Sequence, residues 1–309
     1  MAKVGIYGDI HLCSRNYGSH KDYPQESIDI FRQITRIAEE RKLTHLIGLG
    51  DFSYYRFNKL EYRLKVEDEL AKQYMLTNGN RYEIKGNHDK ASYGLTEYEF
   101  YLKKGLLKNT RKIDIEHARI HLVDYGTEEE PLEFSDVNKN IVLAHNYFNF
   151  PNTSMPNYGN VIMLDEKEEW FDADMIVCGH IHDFHMLKGM MRRGLTAKEI
   201  LLMYMGAMTR PSYTENVTDI GRFLIIDTDS GDVEIALIEV ELLPAEEVFL
   251  AEDISKEAKK INIEDVVSEL MVSSNSSNFA EPEVLIRSIP NVPDKYKDKA
   301  LQYLAEAFE

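Results

Sequence analysis

The stretch VCGHIHDFH, residues 177–185, runs from apolar residues through a glycine and then sets three histidines within six positions. The chain has only ten histidines. A lone buried histidine is ordinarily a packed, hydrogen-bonded side chain. His180 and His182, at alternate positions just past an apolar run, point instead to two imidazoles aimed from one strand end at a common point, and imidazole is the commonest protein ligand for a metal ion. His185 reads as a neighbour of that point or a surface residue rather than a further ligand.

Four other apolar runs end in the same way. KVGIYGDIH (3–11) delivers Asp9 and His11, and LIGLGD (46–51) delivers Asp51. YEIKGNHD (82–89) delivers Asn87, His88 and Asp89, and IVLAHN (141–146) delivers His145. Residues just past the carboxyl ends of neighbouring strands in an α/β sheet converge on one crevice. Five polar clusters, each placed alike relative to its strand, therefore predict a single site. Glycine stands directly before four of them, at Gly8, Gly50, Gly86 and Gly179, where it lets the backbone turn sharply and approach a ligand. Singly, the motifs say little, because Asn, His and Asp are also common turn formers; the ordered set is what carries the inference.

Carboxylate, imidazole and amide oxygen without thiolate suit Mn²⁺, Fe²⁺ or Zn²⁺. Two such ions about 3.5–4 Å apart clamp both oxygens of an in-line phosphoryl displacement. One carboxylate must then bridge them, and a short aspartate at a tight turn can do so.

Composition sets the frame. The 309 residues suit one large domain with appendages or two smaller ones. The start, MAKVGIYGD, lacks the pattern of a secretory signal, and no run of eighteen apolar residues implies a membrane span. Two cysteines, Cys13 and Cys178, make no disulfide framework and fit a reducing cytoplasm. The net charge of −17 argues against a protein that coats nucleic acid generally. Residues 234–309 hold 17 acidic and 7 basic side chains, so −10 of that charge lies there; solvation and a docking role both explain it.

Strands are predicted at KVGIY, THLIGL, RYEI, ARIHLV, NIVLA, DMIVC, LLMYM and RFLIID. Helices are predicted at ESIDIFRQITRIAEER, where Ile28, Phe31, Ile34 and Ile37 form one stripe, and at LEYRLKVEDELAKQYML. Such a pattern suits a mixed α/β domain with two sheets or one large mixed sheet. The domain is expected over 1–240, with an acidic, mostly helical extension over 241–309. That extension has a linker near 272–282, around VSSNSSN, and a last helix over 294–308.

The set D-x-H, GD, GNHD, His145 and GH-x-H resembles the calcineurin-like metallophosphoesterase superfamily over about residues 3–230. The resemblance implies an α/β metallophosphoesterase fold, a β-sandwich flanked by helices (α/β/β/α), here with a small C-terminal helical extension. It implies a first ion on Asp9, His11, Asp51 and His182, and a second on Asp51, Asn87, His145 and His180. By the same likeness His88 is the general acid, with Asp89 orienting its ring. GDIHL, and MYMGAMTRPSYTE followed by GRFLIIDTD, are similar to SbcD-type DNA repair nucleases. That likeness implies a Mn²⁺-dependent DNA exo/endonuclease, a partner ATPase of the SbcC type docking on the C-terminal extension, and homodimer formation. Tyr54 stands where those nucleases carry a histidine. Arg15, Tyr54 and Arg56 are the candidate substrate contacts.

The runner-up is a small-molecule phosphodiesterase, phosphatase or nucleotide pyrophosphatase with the same dimetal centre, which the acidic charge favours. A non-catalytic scaffold ranks last, since the ligand set is complete. Tyr147, Phe148 and Phe150 fit either base stacking or the core. Trp170 reads as core, and His20, His45, His117 and His121 as structural.

Overall fold

The computed structural model describes residues 2–250 apart from 17–19, 55–56, 91–93, 137, 152, 154–159, 211–219 and 229–231. Contacts divide the chain into Met1–Leu250 and Ala251–Glu309. The linker expected near 272–282, the helix expected over 294–308 and most of the acidic extension lie outside the described residues.

The first unit runs β1 (Lys3–Tyr7), α1 (Tyr23–Glu40), β2 (His45–Gly48), α2 (Leu60–Leu76), β3 (Arg81–Glu83), α3 (Glu97–Lys103), β4 (Lys112–Ile115), β5 (Ala118–Val123) and β6 (Lys139–His145). It continues through β7 (Phe148–Asn149), β8 (Ile162–Met163), β9 (Met175–Gly179), β10 (His185–Arg193), β11 (Thr196–Tyr204), β12 (Ile220–Asp227), β13 (Glu234–Glu241) and the short α4 (Ala245–Val248). Local chemistry explains the helix starts. Asp22 caps α1 by accepting from the Gln25 N–H, with Pro24 in the first turn. Thr96 and Glu99 close a capping box on α3.

Two large sheets result, in the orders β13-β12-β1-β2-β3 and β10-β11-β9-β6-β5-β4. Strands β1, β2 and β3 run parallel, as do β5, β6, β9 and β11. Alternation along the strands fills the space between the sheets: Val4, Ile6, Ile47 and Leu49 from the first meet Ile120, Leu122, Ile141, Leu143 and Val177 from the second. The other face of the first sheet packs on α1 and α2 through Phe31, Ile34, Leu46, Leu70 and Phe223. The outer face of the second sheet is covered mainly by the segment after β6, with short 3₁₀ turns at Leu164–Glu166 and Glu168–Trp170. Aromatic bulk takes the place of long helices in that layer: Phe148, Phe150 and Trp170 are fully buried there, with Tyr147 and Phe171 beside them. The Tyr204 hydroxyl donates to the Phe148 carbonyl and accepts from its N–H, both at 2.6 Å. Tyr147, Phe148 and Phe150 are thus core residues.

Register sets up the site. Tyr7 lies opposite Gly48 across β1 and β2, and His145 opposite Gly179 across β6 and β9. The parallel strands therefore end level with one another, and their next residues emerge side by side.

Candidate metal centre

Asp9, His11, Asp51 and His145 form a buried floor, each at most 1% exposed. Asn87, His88, His180 and His182 are partly exposed and form the mouth. Two groups of ligand-capable atoms appear, Asp9 with His11 and His182, and Asp51 with His145 and His180. The structure thus brings together all seven residues proposed as ligands. His11 and His182 face each other through their Nε2 atoms at 3.0 Å. Asn87 Oδ1 sits 2.9 Å from His145 Nε2 and 3.0 Å from His180 Nδ1. Asp51 Oδ2 lies 3.3 Å from His145 Nε2 and 3.9 Å from His11 Nε2, between the two groups.

Backbone geometry makes this convergence. His11, Asp51 and His180 have φ of +46°, +49° and +78°, a region that costs a non-glycine residue about 1–2 kcal/mol. Neighbouring loops hold them there. The His11 N–H donates to the Asp51 carbonyl at 2.9 Å, and the His180 N–H donates to Asp9 Oδ2 at 2.9 Å. The His88 N–H donates to Asp51 Oδ1 at 2.9 Å, which leaves Oδ2 for the space between the groups. A Cβ on Gly86 would fall 2.1 Å from Asp51 Oδ1, so only glycine admits that carboxylate. The segment after the last motif closes the ring: Ala207 N–H donates to the His182 carbonyl, Met208 N–H to the Asp9 carbonyl and Thr209 Oγ1 to the Ile10 carbonyl.

The donor set fits divalent ions. His145 Nδ1 lies 2.7 Å from the Leu49 carbonyl and can serve it only as the N–H donor, so Nε2 points into the site. There it meets the oxygens of Asn87 and Asp51, acceptor facing acceptor, unless a proton or a cation lies among them. Without a metal ion, protonation supplies that charge. Burial lowers His145, but the Asp51 and Asp9 carboxylates and the hydrogen bond to Asp51 outweigh it and push the group up to about 10. Burial likewise pushes Asp51 up, yet His145, His11 and His88 hold it well below the usual carboxylate range. Burial raises Asp9 to about 7 against the opposing pull of His145. Burial and the neighbouring His145 lower His180 to about 4, and burial lowers His11, so both are neutral and ready to ligate near pH 7.

The remaining predicted residues divide. The His88 ring stands 5.2 Å from the His11 ring and stacks on Tyr54 at 4.9 Å, which places Tyr54 at the mouth. Asp89 departs from expectation. Its carboxylate accepts from the N–H groups of Gly86, Phe52 and Ser53 at 3.0–3.2 Å, and has no bond to the His88 ring. Buried at 1% exposure, it ties the GNHD turn to the loop carrying Asp51; the ring it was expected to orient lies on the mouth side. Arg15 is exposed on the loop after His11, and Arg56 lies outside the described residues. His185 opens β10 beside Tyr204 and joins neither ligand group. Cys13 and Cys178 are buried free thiols.

Sequence comparison matches the calcineurin-like phosphoesterase family over residues 2–184. The chain belongs to that family. The family and the paired ligand groups agree on metal-dependent phosphoester chemistry. No curated protein matches the chain. Among solved structures it is similar to a 5′-nucleotidase precursor from Thermus thermophilus, at 13% identity and TM-score 0.41, covering 87% of this chain and 59% of that one. It is also similar to a single mutant of Vps29 from Entamoeba histolytica, at 14% identity and TM-score 0.33, covering 77% of this chain and 99% of that one. The chain thus spans about three fifths of the nucleotidase it matches. No helix among the described residues is long and apolar enough to cross a membrane.

Two residues of the site escape the motif pattern. Tyr125 follows β5, and its ring lies 5.9 Å from that of His180 and 6.3 Å from that of His145. Lys90, directly after the GNHD turn, places its ammonium 4.6 Å over the Tyr125 ring. The signal was available: ARIHLV is another apolar run, and it ends in Asp124, Tyr125 and Gly126.

Proposed function

We propose that this chain hydrolyses phosphodiesters at a two-metal centre and that its substrate is DNA, cut in the manner of SbcD-type repair nucleases. The observation that carries the reaction class is the position of Asp51, whose Oδ2 lies between His11 of one ligand group and His145 of the other. Asp9, His11, Asp51 and His182 would hold one ion, and Asp51, Asn87, His145 and His180 the other. When bound, two such ions supply Lewis-acid stabilisation of phosphoryl charge and lower the pKa of water. The protein's own part is to orient and to move a proton. His88, partly exposed beside the first group, is the acid for the leaving oxygen. Asp89 fixes the loop beneath it, and Tyr54 packs on its ring. Mn²⁺ is the preferred ion for this donor set, with Fe²⁺ and Zn²⁺ as alternatives.

The DNA assignment draws its support from the likeness of GDIHL, and of MYMGAMTRPSYTE followed by GRFLIIDTD, to SbcD-type nucleases. A partner ATPase of the SbcC type, reached through the C-terminal extension, and a homodimer belong to the same proposal. The net charge of −17 favours a second reading, a nucleotide-sized phosphodiester or monoester as substrate. Purified protein with Mn²⁺ separates them when offered linear duplex DNA, single-stranded DNA and bis-p-nitrophenyl phosphate. DNA cleavage is the expected result. Hydrolysis of the chromogenic ester with both DNAs left intact, even beside a partner ATPase, would overturn the nuclease assignment.

A further inference from the structure

The turn after β5 is pinned to the metal-bearing loops at both ends. Asp124 Oδ1 accepts from the Lys85 N–H at 2.7 Å, and the Tyr125 N–H donates to the Lys85 carbonyl at 2.9 Å. Lys85 lies two residues before Asn87. At the other end buried Glu128 accepts from the Gly126 N–H at 2.7 Å and from Asn146 Nδ2 at 2.5 Å. Asn146 directly follows His145. The turn therefore moves only if two proposed ligand loops move, and it holds the Tyr125 ring at a fixed place beside His145 and His180.

That ring is only partly buried, and its hydroxyl has no partner among the described residues. Lys90 completes the arrangement. Its Nζ donates to the Tyr125 carbonyl at 2.5 Å and lies over the ring, and it has no carboxylate partner among the described residues. Other lysines of the described residues are tied to Asp or Glu, among them Lys104, Lys112, Lys188 and Lys198. A cation anchored by a backbone carbonyl and an aromatic face, in a chain of net charge −17, keeps its charge available to an incoming anion. One face of the partly exposed Tyr125 ring carries the Lys90 ammonium, so a planar base would stack on the other, and any base will serve.

We infer that Tyr125 and Lys90 form a nucleoside-phosphate subsite: the base stacks on Tyr125 while Lys90 takes a phosphate oxygen on the His145/His180 side. The subsite deepens the proposed function, on which it rests in needing a nucleotidyl substrate. It serves an internal nucleotide of DNA and a free nucleotide alike.

The test uses the full chain loaded with Mn²⁺ and two ligands that turnover cannot consume. These are the methylene phosphonate isosteres of AMP and of ribose 5-phosphate, in which carbon replaces the 5′ oxygen. Titration calorimetry should show the AMP isostere binding about tenfold more tightly than the base-free one, as one base–aromatic stack provides. Tyr125→Ala should abolish that ratio with metal content unchanged, and Tyr125→Phe should keep it. Lys90→Gln should weaken both ligands alike. Equal binding of the two isosteres by the wild-type chain, or a ratio that survives Tyr125→Ala, would overturn the subsite. Failure of the proposed function shows elsewhere, as no hydrolysis of any phosphodiester by the same preparation.

Discussion

Gly50→Ala puts the construction of the site to a quantitative test. Gly50 has φ +101°, and a Cβ there would fall 2.5 Å from His145 Nδ1 and 3.1 Å from the Gly86 Cα. The backbone conformation alone costs alanine about 1–2 kcal/mol. The ring must also move, which breaks its 2.7 Å hydrogen bond to the Leu49 carbonyl. Leaving that buried carbonyl without its partner costs about 1–3 kcal/mol more. Together the two effects come to about 2–5 kcal/mol. His145 Nε2 is displaced as well from Asn87 and Asp51, so the second ion loses a ligand. Gly105→Ala is the control: φ is +72°, but nothing lies within 4 Å of the added Cβ. It should cost only the conformational part, about 1–2 kcal/mol, and keep both ions. Differential scanning calorimetry and metal analysis after dialysis read the two effects. A Gly50→Ala protein with two ions and the same stability loss as Gly105→Ala would refute the reasoning.

Three further outcomes follow from the same geometry. His88→Ala should retain its metal and lose about 10²–10⁴-fold in turnover; surviving activity would remove it as the acid. Asp89→Ala should lower Tm and loosen ion binding, because three backbone N–H groups lose their acceptor; lost turnover at full stability and metal content would restore its expected role on the His88 ring. Protonation gives the third. His145 is raised to about 10 in the ion-free protein, so the stability it contributes is complete below its unfolded value near 6.5 and is lost as pH climbs through about 10. An entering ion must displace that proton, so affinity should tighten as pH rises over this window. Calorimetry in two buffers of different ionisation enthalpy checks it, and a buffer-independent heat would contradict it.

The sequence was most legible where one local pattern settles both structure and chemistry. GDIH, GD, GNHD and GHIH each join an apolar strand to a turn, and parallel register then brings their residues together. The mixed-charge stretch LEYRLKVEDELAKQYML is the expected helix, over Leu60–Leu76. Strands of mixed polarity were harder. β10 and β13 lie at sheet edges, with most residues of each partly or fully exposed; HMLKGMMRR is broken by charge and glycine, and EIALIEVE holds only the four-residue run IALI between glutamates. The role of Asp89 was hidden because its partners are main-chain N–H groups of Phe52 and Ser53, 37 and 36 residues away, which no side-chain pattern records. Tyr125 was missed for a related reason. Its neighbour Asp124 is used to hold the Lys85 backbone, so the turn presents an aromatic ring at the site and no charged ligand.

Anomalous diffraction at the manganese edge, from crystals grown with Mn²⁺, addresses the central claim directly. Two peaks are predicted about 3.5–4 Å apart, one against Asp9, His11 and His182, the other against Asn87, His145 and His180, with Asp51 touching both. A single peak, or an Asp51 carboxylate turned away from either ion, would contradict the account.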